Sequence, residues 1–443
     1  MGPRKKLRKT ALLMTFGLLI SGEPTGLYHA HAAEGGEQPA AQAAQEVNVY
    51  QGKVTGVSKK AKSIALSVGK GDQAQMRMVK YDAATKGLEH AKEGESAIIT
   101  FALRGKDAFA LDIKPKLATL PAGVKEIQPA ELIPLVDAGF KKGGVVLIDS
   151  RPAKPYANGH IPSAISIPAD DIKAKGATLL PADKTTPLIF YCGGVTCGLS
   201  PASAKAAKEM GYTDIRVLLK GAPGWKQAGK VLVASDSVVD KGNIILLDLR
   251  GEAETQSGHI SRAINIPFAA LTAAEADIPA KAPVVLYGKT DEVAKAAKMI
   301  AQWGVKAVAM VDGGLDGYVA RHHQLATGPM ATEIEWVRQL GKDEVGAEEF
   351  LAAATGKAVS AVILDVRTAD EAAEGSFATA LTIPLDALEA RIGELPKEKE
   401  ILIHCSTGAR AEMAQQLLAK QGLKSRFLVA DVACDGPGKC SVD

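Results

Sequence analysis

Between Val47 and Lys114 apolar and polar residues alternate in short runs, VNVYQGKVTGV, SIALSV, QMRMVKY, AIITFAL and AFALDI, separated by Gly, Lys and Asp turns. A period of two marks strands with one buried face, so about five of them in succession predict a small β-barrel-like domain over residues 47–116. The text then changes. Apolar runs without alternation end in Asp-x-Arg three times, VVLIDSR to Arg151, IILLDLR to Arg250 and VILDVR to Arg367. Each is followed at near-constant distance by a matching segment, GHIPSAISIP, GHISRAINIP or GSFATALTIP, and then by a second apolar strand, PLIFYC, PVVLYG or EILIHC. An Ala-rich helix ending at glycine and a last strand, IRVLL, AVAMV or SRFLV, close each unit. Continuous apolar strands alternating with helices predict α/β units whose mostly parallel sheets are covered on both faces.

A thiol ends the second apolar strand in two of the three units. Cys405 is followed by Ser406, Thr407, Gly408, Ala409 and Arg410, which curl round it before the helix. Backbone N–H groups of such a turn converge on the sulfur, and the helix N-terminus and Arg410 add positive potential. Those features stabilise a thiolate, and a persulfide anion once sulfur is acquired. Cys192 holds the matching position in the first unit. Its loop, Gly193, Gly194, Val195, Thr196 and Cys197, carries no arginine, and Cys197 falls near the place of Arg410. Ser200 reads there as the N-cap and Pro201 as the first residue of the next helix. The middle unit has Gly288 at this point, with GKTDEV in place of a cradle, and cannot carry sulfur covalently. The pairs Asp149 and Arg151, Asp248 and Arg250, and Asp365 and Arg367 are expected as structural support, each bonding its partner or nearby backbone at a strand end. His160 and His259 are expected as structural hydrogen-bonders.

Taken together these residues resemble the rhodanese domain, a family of sulfurtransferases and related modules. The Asp-x-Arg strand, the GHIPSAISIP-type segment and the cysteine at the turn carry the resemblance. KGAPGW from Lys220 and DGGLDGY from Asp312 are similar to the family's glycine-pair and aromatic ending. The resemblance implies three tandem rhodanese-like domains, at residues 124–228 with Cys192, 229–325 inactive through Gly288, and 333–432 with Cys405. It implies Cys405 and Cys192 as catalytic nucleophiles, substrate held by the two loops, and no metal or organic cofactor. An inactive repeat in this family usually packs against an active one and walls its cleft. CGGVT looks like a shortened mercaptopyruvate-sulfurtransferase loop. Cysteine phosphatases also follow cysteine with arginine, but at a longer spacing than the four intervening residues here. The shorter ring suits a sulfur atom better than a tetrahedral phosphate.

The first 32 residues change the reading of charge. Arg4, Lys5, Lys6, Arg8 and Lys9 precede the apolar stretch Ala11 to Ile20, and Ala30-His31-Ala32 supplies small residues for cleavage. That is the pattern of a signal peptide, and the apolar stretch is shorter than the ~20 residues of a membrane span. Residues 33–46 are an Ala/Gln/Gly-rich linker. Cleavage removes five of 53 basic residues and one of 50 acids, leaving 48 against 49 and a net charge near −1. The mature chain therefore gives no reason to expect nucleic acid, and no stable membrane anchor remains after cleavage. A periplasmic or secreted location is expected, where the five cysteines meet oxidising conditions.

Five is odd, so at least one thiol lacks an intramolecular partner. In the tail at 433–443, Cys434 and Cys440 flank a Gly/Pro turn. A local disulfide is the plain reading, and a dithiol exchanging sulfur with Cys405 is the sharper one. For Cys192 and Cys197, catalysis, a redox pair and a structural disulfide stay open. The resulting expectation is an exported rhodanese-type sulfurtransferase acting on small sulfur-containing anions, with a thiophilic small molecule, a thiol or a redox protein as acceptor. The alternatives are a thiol-disulfide or sulfur-relay protein, and a non-catalytic rhodanese-like binding scaffold.

Overall fold

The computed structural model describes residues 47–59, 62–69, 74–140, 144–357 and 361–442. The expected signal peptide and the linker that follows it lie outside the described residues. Strands β1 (Val47–Ser58), β2 (Ser63–Val68), β3 (Gln75–Lys80), β4 (Ser96–Arg104) and β5 (Asp107–Pro115) close into a barrel, because β1 pairs with both β2 and β4. The inward members of the alternation, among them Val54, Ile64, Leu66, Ile99 and Ile113, fill it. A register shift in β1 between Val54 and Gly56 supplies the bend that a small barrel needs.

Three α/β units follow. The first contains β6 (Lys125–Glu126), α1 (Pro129–Asp137), β7 (Val146–Asp149), α2 (Ala153–Asn158), β8 (Ile165–Ser166), α3 (Ala169–Leu179), β9 (Leu188–Tyr191), α4 (Leu199–Glu209), β10 (Ile215–Leu218) and α5 (Gly221–Gln227). The second contains β11 (Val233–Ala234), α6 (Asp236–Lys241), β12 (Ile245–Asp248), α7 (Glu252–Ser257), β13 (Ile264–Asn265), β14 (Val284–Tyr287), α8 (Thr290–Gln302), β15 (Val308–Val311) and α9 (Gly314–Ala320). The third contains β16 (Glu344–Val345), α10 (Ala347–Ala354), β17 (Ala361–Asp365), α11 (Ala369–Glu374), β18 (Ala380–Thr382), α12 (Leu385–Arg391), β19 (Glu400–His404), α13 (Ala409–Lys420) and β20 (Ser425–Leu428). A hairpin, β21 (Val432–Cys434) and β22 (Cys440–Val442), ends the chain's regular structure.

The three sheets share one all-parallel order: β6-β10-β9-β7-β8, β11-β15-β14-β12-β13 and β16-β20-β19-β17-β18. The second apolar strand of each repeat is thus the central one, with β9 and β14 wholly buried and β19 nearly so. Whatever follows its C-terminal end stands where parallel α/β sheets place their ligands.

The Asp-x-Arg segments hold that end in place. Asp149, Asp248 and Asp365 are fully buried. Each arginine folds back onto its own aspartate, with Nη2 to Oδ2 distances of 2.5, 2.6 and 2.6 Å. The same Nη2 donates to the carbonyl of Gly159, Gly258 or Gly375 at 2.7, 2.8 and 2.8 Å. The residue between aspartate and arginine donates its N–H to the carbonyl of Tyr191, Tyr287 or His404, the last residue of the central strand. In all three units the clamp locks the end of the central strand, and in the first and third that strand leads straight to the sulfur. In the middle unit, which has no thiol, Arg250→Ala would strand a buried carboxylate at a cost of roughly 3–5 kcal/mol. Hydrogen exchange should accelerate over residues 245–266 while the barrel stays protected; unchanged protection there would count against the clamp.

Candidate active site

In the third unit the chain leaves β19 at His404 and reaches Cys405 at once. Gly408 turns with φ +95°, and its N–H donates to Cys405 Sγ at 3.1 Å. A side chain at 408 would approach the Leu428 carbonyl oxygen at 3.1 Å, so glycine is required both for the turn and for the close approach. The 12-residue helix α13 begins at the next residue, Ala409, and aims its N-terminus at the loop. Of the several amides expected around the sulfur, this one reaches it.

Arg410 differs from its expected role. It is only 5% exposed, and it is paired with Glu371 of α11, Nη1 to Oε2 at 2.6 Å and Nη2 to Oε1 at 2.9 Å. Ser406 joins them, its hydroxyl donating to Glu371 Oε1 at 2.8 Å and accepting from Arg410 Nη2 at 3.1 Å. Glu371 also accepts from the backbone and hydroxyl of Thr368, both at 3.0 Å. The guanidinium is therefore held by a carboxylate, and the three side chains brace the sulfur loop against α11. Sequence reasoning missed Glu371. In the text it is the fourth residue of TADE, a capping box, and it serves as one; nothing local shows that its second duty lies 39 residues away. Behind the thiol, His404 packs edge-on to Phe350 and Phe377, with neither ring nitrogen hydrogen-bonded. Burial draws its pKa down to about 4, against the opposing pull of Asp365, so the ring is neutral at pH 7.

A 350 Å³ cavity opens on this loop. Ser406 and Thr407 form one side, Glu371 and Glu374 another, Ser58 and Lys59 come from the barrel, and Cys434 comes from the tail. The barrel is seated here, with β1 against α13 and β3 against α12. The tail is tied to the loop by the Val432 N–H on the Ser406 carbonyl at 2.9 Å. Cys434 and Cys440 are joined in a disulfide. The middle unit borders the loop's other flank, where Lys281, Pro283 and Lys306 face Thr407, Val429 and Asp431 across a 750 Å³ cleft.

The first unit builds a different site. Cys192 is buried and accepts from Ser200 Oγ at 3.1 Å while its own thiol points to the Cys197 carbonyl at 3.3 Å. Cys192 and Cys197 are separate thiols, so a disulfide between them is not formed here. Ser200 is not the N-cap. Gly198 takes that place, α4 starts at Leu199, and the Ser200 hydroxyl goes to sulfur instead of to an orphan amide. Gly221 packs on the loop from behind, where a side chain would meet the Cys192 carbonyl oxygen at 2.2 Å. In the middle unit Gly288 has φ +149°, and a side chain there would meet Leu249 Cβ at 3.1 Å, so the site has lost both the thiol and the room for one. His160 and His259 each place Nδ1 3.0 Å from the carbonyl four residues back, at Tyr156 and Thr255. Among the described residues no cluster of side chains could hold a metal ion.

Fold and site together define a three-unit parallel α/β protein with thiols at strand-to-helix turns. The family model of the rhodanese-like domain matches residues 134–228, 235–321 and 347–431. The chain belongs to the rhodanese-like family, with three tandem domains. It is 36% identical over 61 residues to a sulfurtransferase of Allochromatium vinosum, covering 14% of this chain and 57% of that protein. It is 39% identical over 77 residues to the putative sulfur carrier protein YrkF of Bacillus subtilis, covering 17% of this chain and 42% of that protein. The chain thus spans about half the length of these curated relatives. Thiosulfate sulfurtransferase of Pseudomonas aeruginosa aligns over 69% of this chain and 66% of its own at 20% identity, with a TM-score of 0.23.

Burial raises the Glu371 pKa, but Arg410 outweighs it and holds the carboxyl down to about 2, against 4.5 when unpaired. A depressed carboxyl stabilises the fold above its unfolded pKa and loses that contribution as pH falls through the folded one. Loop bracing worth on the order of 3 kcal/mol should therefore persist at neutral pH and fade between about pH 4.5 and 2. Urea unfolding of Glu371→Gln should show a weaker acid dependence over that window; an unaltered profile would contradict the pairing.

Proposed function

We propose that this protein is a sulfurtransferase in which Cys405 takes the outer sulfur of a small anionic donor, such as thiosulfate or polysulfide, and holds it as a persulfide. The sulfur then passes to a thiophilic acceptor such as cyanide, sulfite or a thiol. The observation that carries the reading is the Gly408 N–H directed at Cys405 Sγ from the start of α13, at the end of a central parallel strand. An amide and a helix N-terminus favour negative charge on sulfur, in the attacking thiolate and again in the persulfide. Arg410 acts as a positioning residue, since its charge is already met by Glu371. The 350 Å³ cavity is of a size for a small anion, and Lys59 at its wall offers a positive charge.

Export belongs to the same proposal. It is supported by the basic and apolar N-terminal pattern and by the Cys434–Cys440 disulfide, a bond that persists in oxidising compartments. Among the described residues no helix is long and apolar enough to cross a membrane.

Thiosulfate:cyanide transfer should fall by more than about 10³-fold in Cys405→Ser. Peptide mass spectrometry of the donor-treated wild type should place one added sulfur on Cys405. Transfer that survives the substitution, or a wild type that never acquires sulfur at this residue, would instead favour a non-catalytic binding scaffold.

A further inference from the structure

The tail hairpin is fastened to the third site at more than one point. Its strands β21 and β22 pair Val432 with Val442, Ala433 with Ser441 and Cys434 with Cys440, and form a sheet of their own. A two-stranded hairpin is marginal by itself in water. Here a cross-strand disulfide ties the two strands together. At one end the Val432 N–H donates to the Ser406 carbonyl at 2.9 Å, and at the other the Gly438 N–H donates to the Ser376 carbonyl at 2.7 Å. Gly436 presses on Gly375 so closely that a side chain at 375 would meet its backbone nitrogen and oxygen at 2.7 Å. Gly375 is the residue whose carbonyl Arg367 binds, and the Ser376 hydroxyl donates to Asp365 Oδ2 at 3.0 Å. The hairpin thus grips both the loop after Cys405 and the turn that completes the Asp-x-Arg clamp.

Cys405 is 1% exposed, so a reagent reaches its sulfur only when the loop gives way. Glu371 of α11 and the hairpin both hold that loop from outside. Of the two, only the hairpin depends on a bond that redox chemistry can open. Val432, Ala433 and Cys434 also wall the 350 Å³ cavity beside Ser406 and Thr407. The two sulfurs of the bond differ in access: Cys434 is buried in the core cluster of Phe350 and Phe377, whereas Cys440 is half-buried at its edge.

We propose that the Cys434–Cys440 disulfide is a redox latch on the Cys405 site, closed when oxidised and opened by an external dithiol; its regulatory meaning rests on the reading of Cys405 as the sulfur carrier. A thiolate of the dithiol attacks Cys440 Sγ, the accessible sulfur. The S–S bond breaks, and Cys434 leaves with the electron pair and takes up a proton. The dithiol's second thiolate then attacks its own sulfur in the mixed disulfide and displaces Cys440, which is protonated in turn. The protein gains two electrons and two protons, and the dithiol becomes a disulfide. Without the cross-strand bond the hairpin frays, the cavity loses the wall formed by Val432, Ala433 and Cys434, and the Ser406 carbonyl loses its outer partner. The loop then opens often enough for Cys405 to react.

The test is the rate at which iodoacetamide labels Cys405 in the full chain, read by peptide mass spectrometry. Cys192, as buried as Cys405 and remote in sequence from the hairpin, serves as the reference in the same molecule. Treatment with dithiothreitol, removed anaerobically before labelling, should raise the Cys405 rate at least about tenfold and leave the Cys192 rate unchanged. The double variant Cys434→Ala/Cys440→Ala should label Cys405 at that faster rate with or without dithiothreitol. An unchanged Cys405 rate after reduction overturns the latch. So does an equal acceleration at Cys192, which would mean general loosening of the fold. Thiosulfate:cyanide transfer is measured separately on the same samples and should be faster in the double variant than in the oxidised wild type. Transfer absent from every form would count against the sulfurtransferase reading, whereas transfer present but equal in the two would overturn the latch.

Discussion

The buried Asp-x-Arg clamp is the interaction on which each rhodanese-like unit depends. A parallel sheet leaves the C-terminal ends of its strands open, and a loop planted there is only as well placed as the strand beneath it. Three carboxylates with no solvent exposure secure that end, because each arginine satisfies its aspartate and the following glycine carbonyl together. Such a pair gains its value from the pairing itself: the buried charge is never left alone. The backbone between the two residues then binds the last residue of the central strand, just before the loop, which carries the clamp's rigidity directly into the site.

On that common frame the three units have taken different chemistry. The middle one kept the clamp and the tyrosine whose hydroxyl accepts the Ile260 N–H at 3.1 Å, and lost the thiol. The first kept the matching tyrosine bond, at 3.0 Å from Ile161, and added a second thiol. The third gave up that bond. His404 replaces the tyrosine, Phe377 replaces the isoleucine, and an aromatic cluster fills the space that a hydrogen bond organised elsewhere. Its loop is braced from the other side instead, through Arg410 and Glu371.

The barrel and the tail complete the third site in place of elements found in the other repeats. Where α5 and α9 end the first two units, the third has a disulfide-closed hairpin bonded to Ser406. The barrel's β1 lies over α13, close enough that a side chain at Gly56 would sit 3.9 Å from the Arg410 chain. The cavity beside the loop that follows Cys405 is consequently walled by three separate parts of the polypeptide.

The sequence by itself determined the architecture. Strand and helix periods, the thrice-repeated Asp-x-Arg and the glycine-bounded helices are local properties, governed by residues a few positions apart. They specified the parallel units, the strand ends carrying Cys192, Gly288 and Cys405, and the β character of residues 47–115. Tertiary structure alone decided which groups meet those ends. Arg410 looked available for an anion until Glu371 was brought to it, and Ser200 looked like a helix cap until the fold turned its hydroxyl onto Cys192 Sγ. The reason is physical. Periodicity records whether a side chain is buried, but the partner of a buried charge or thiol is set by distances across the folded chain, which no short window of sequence contains.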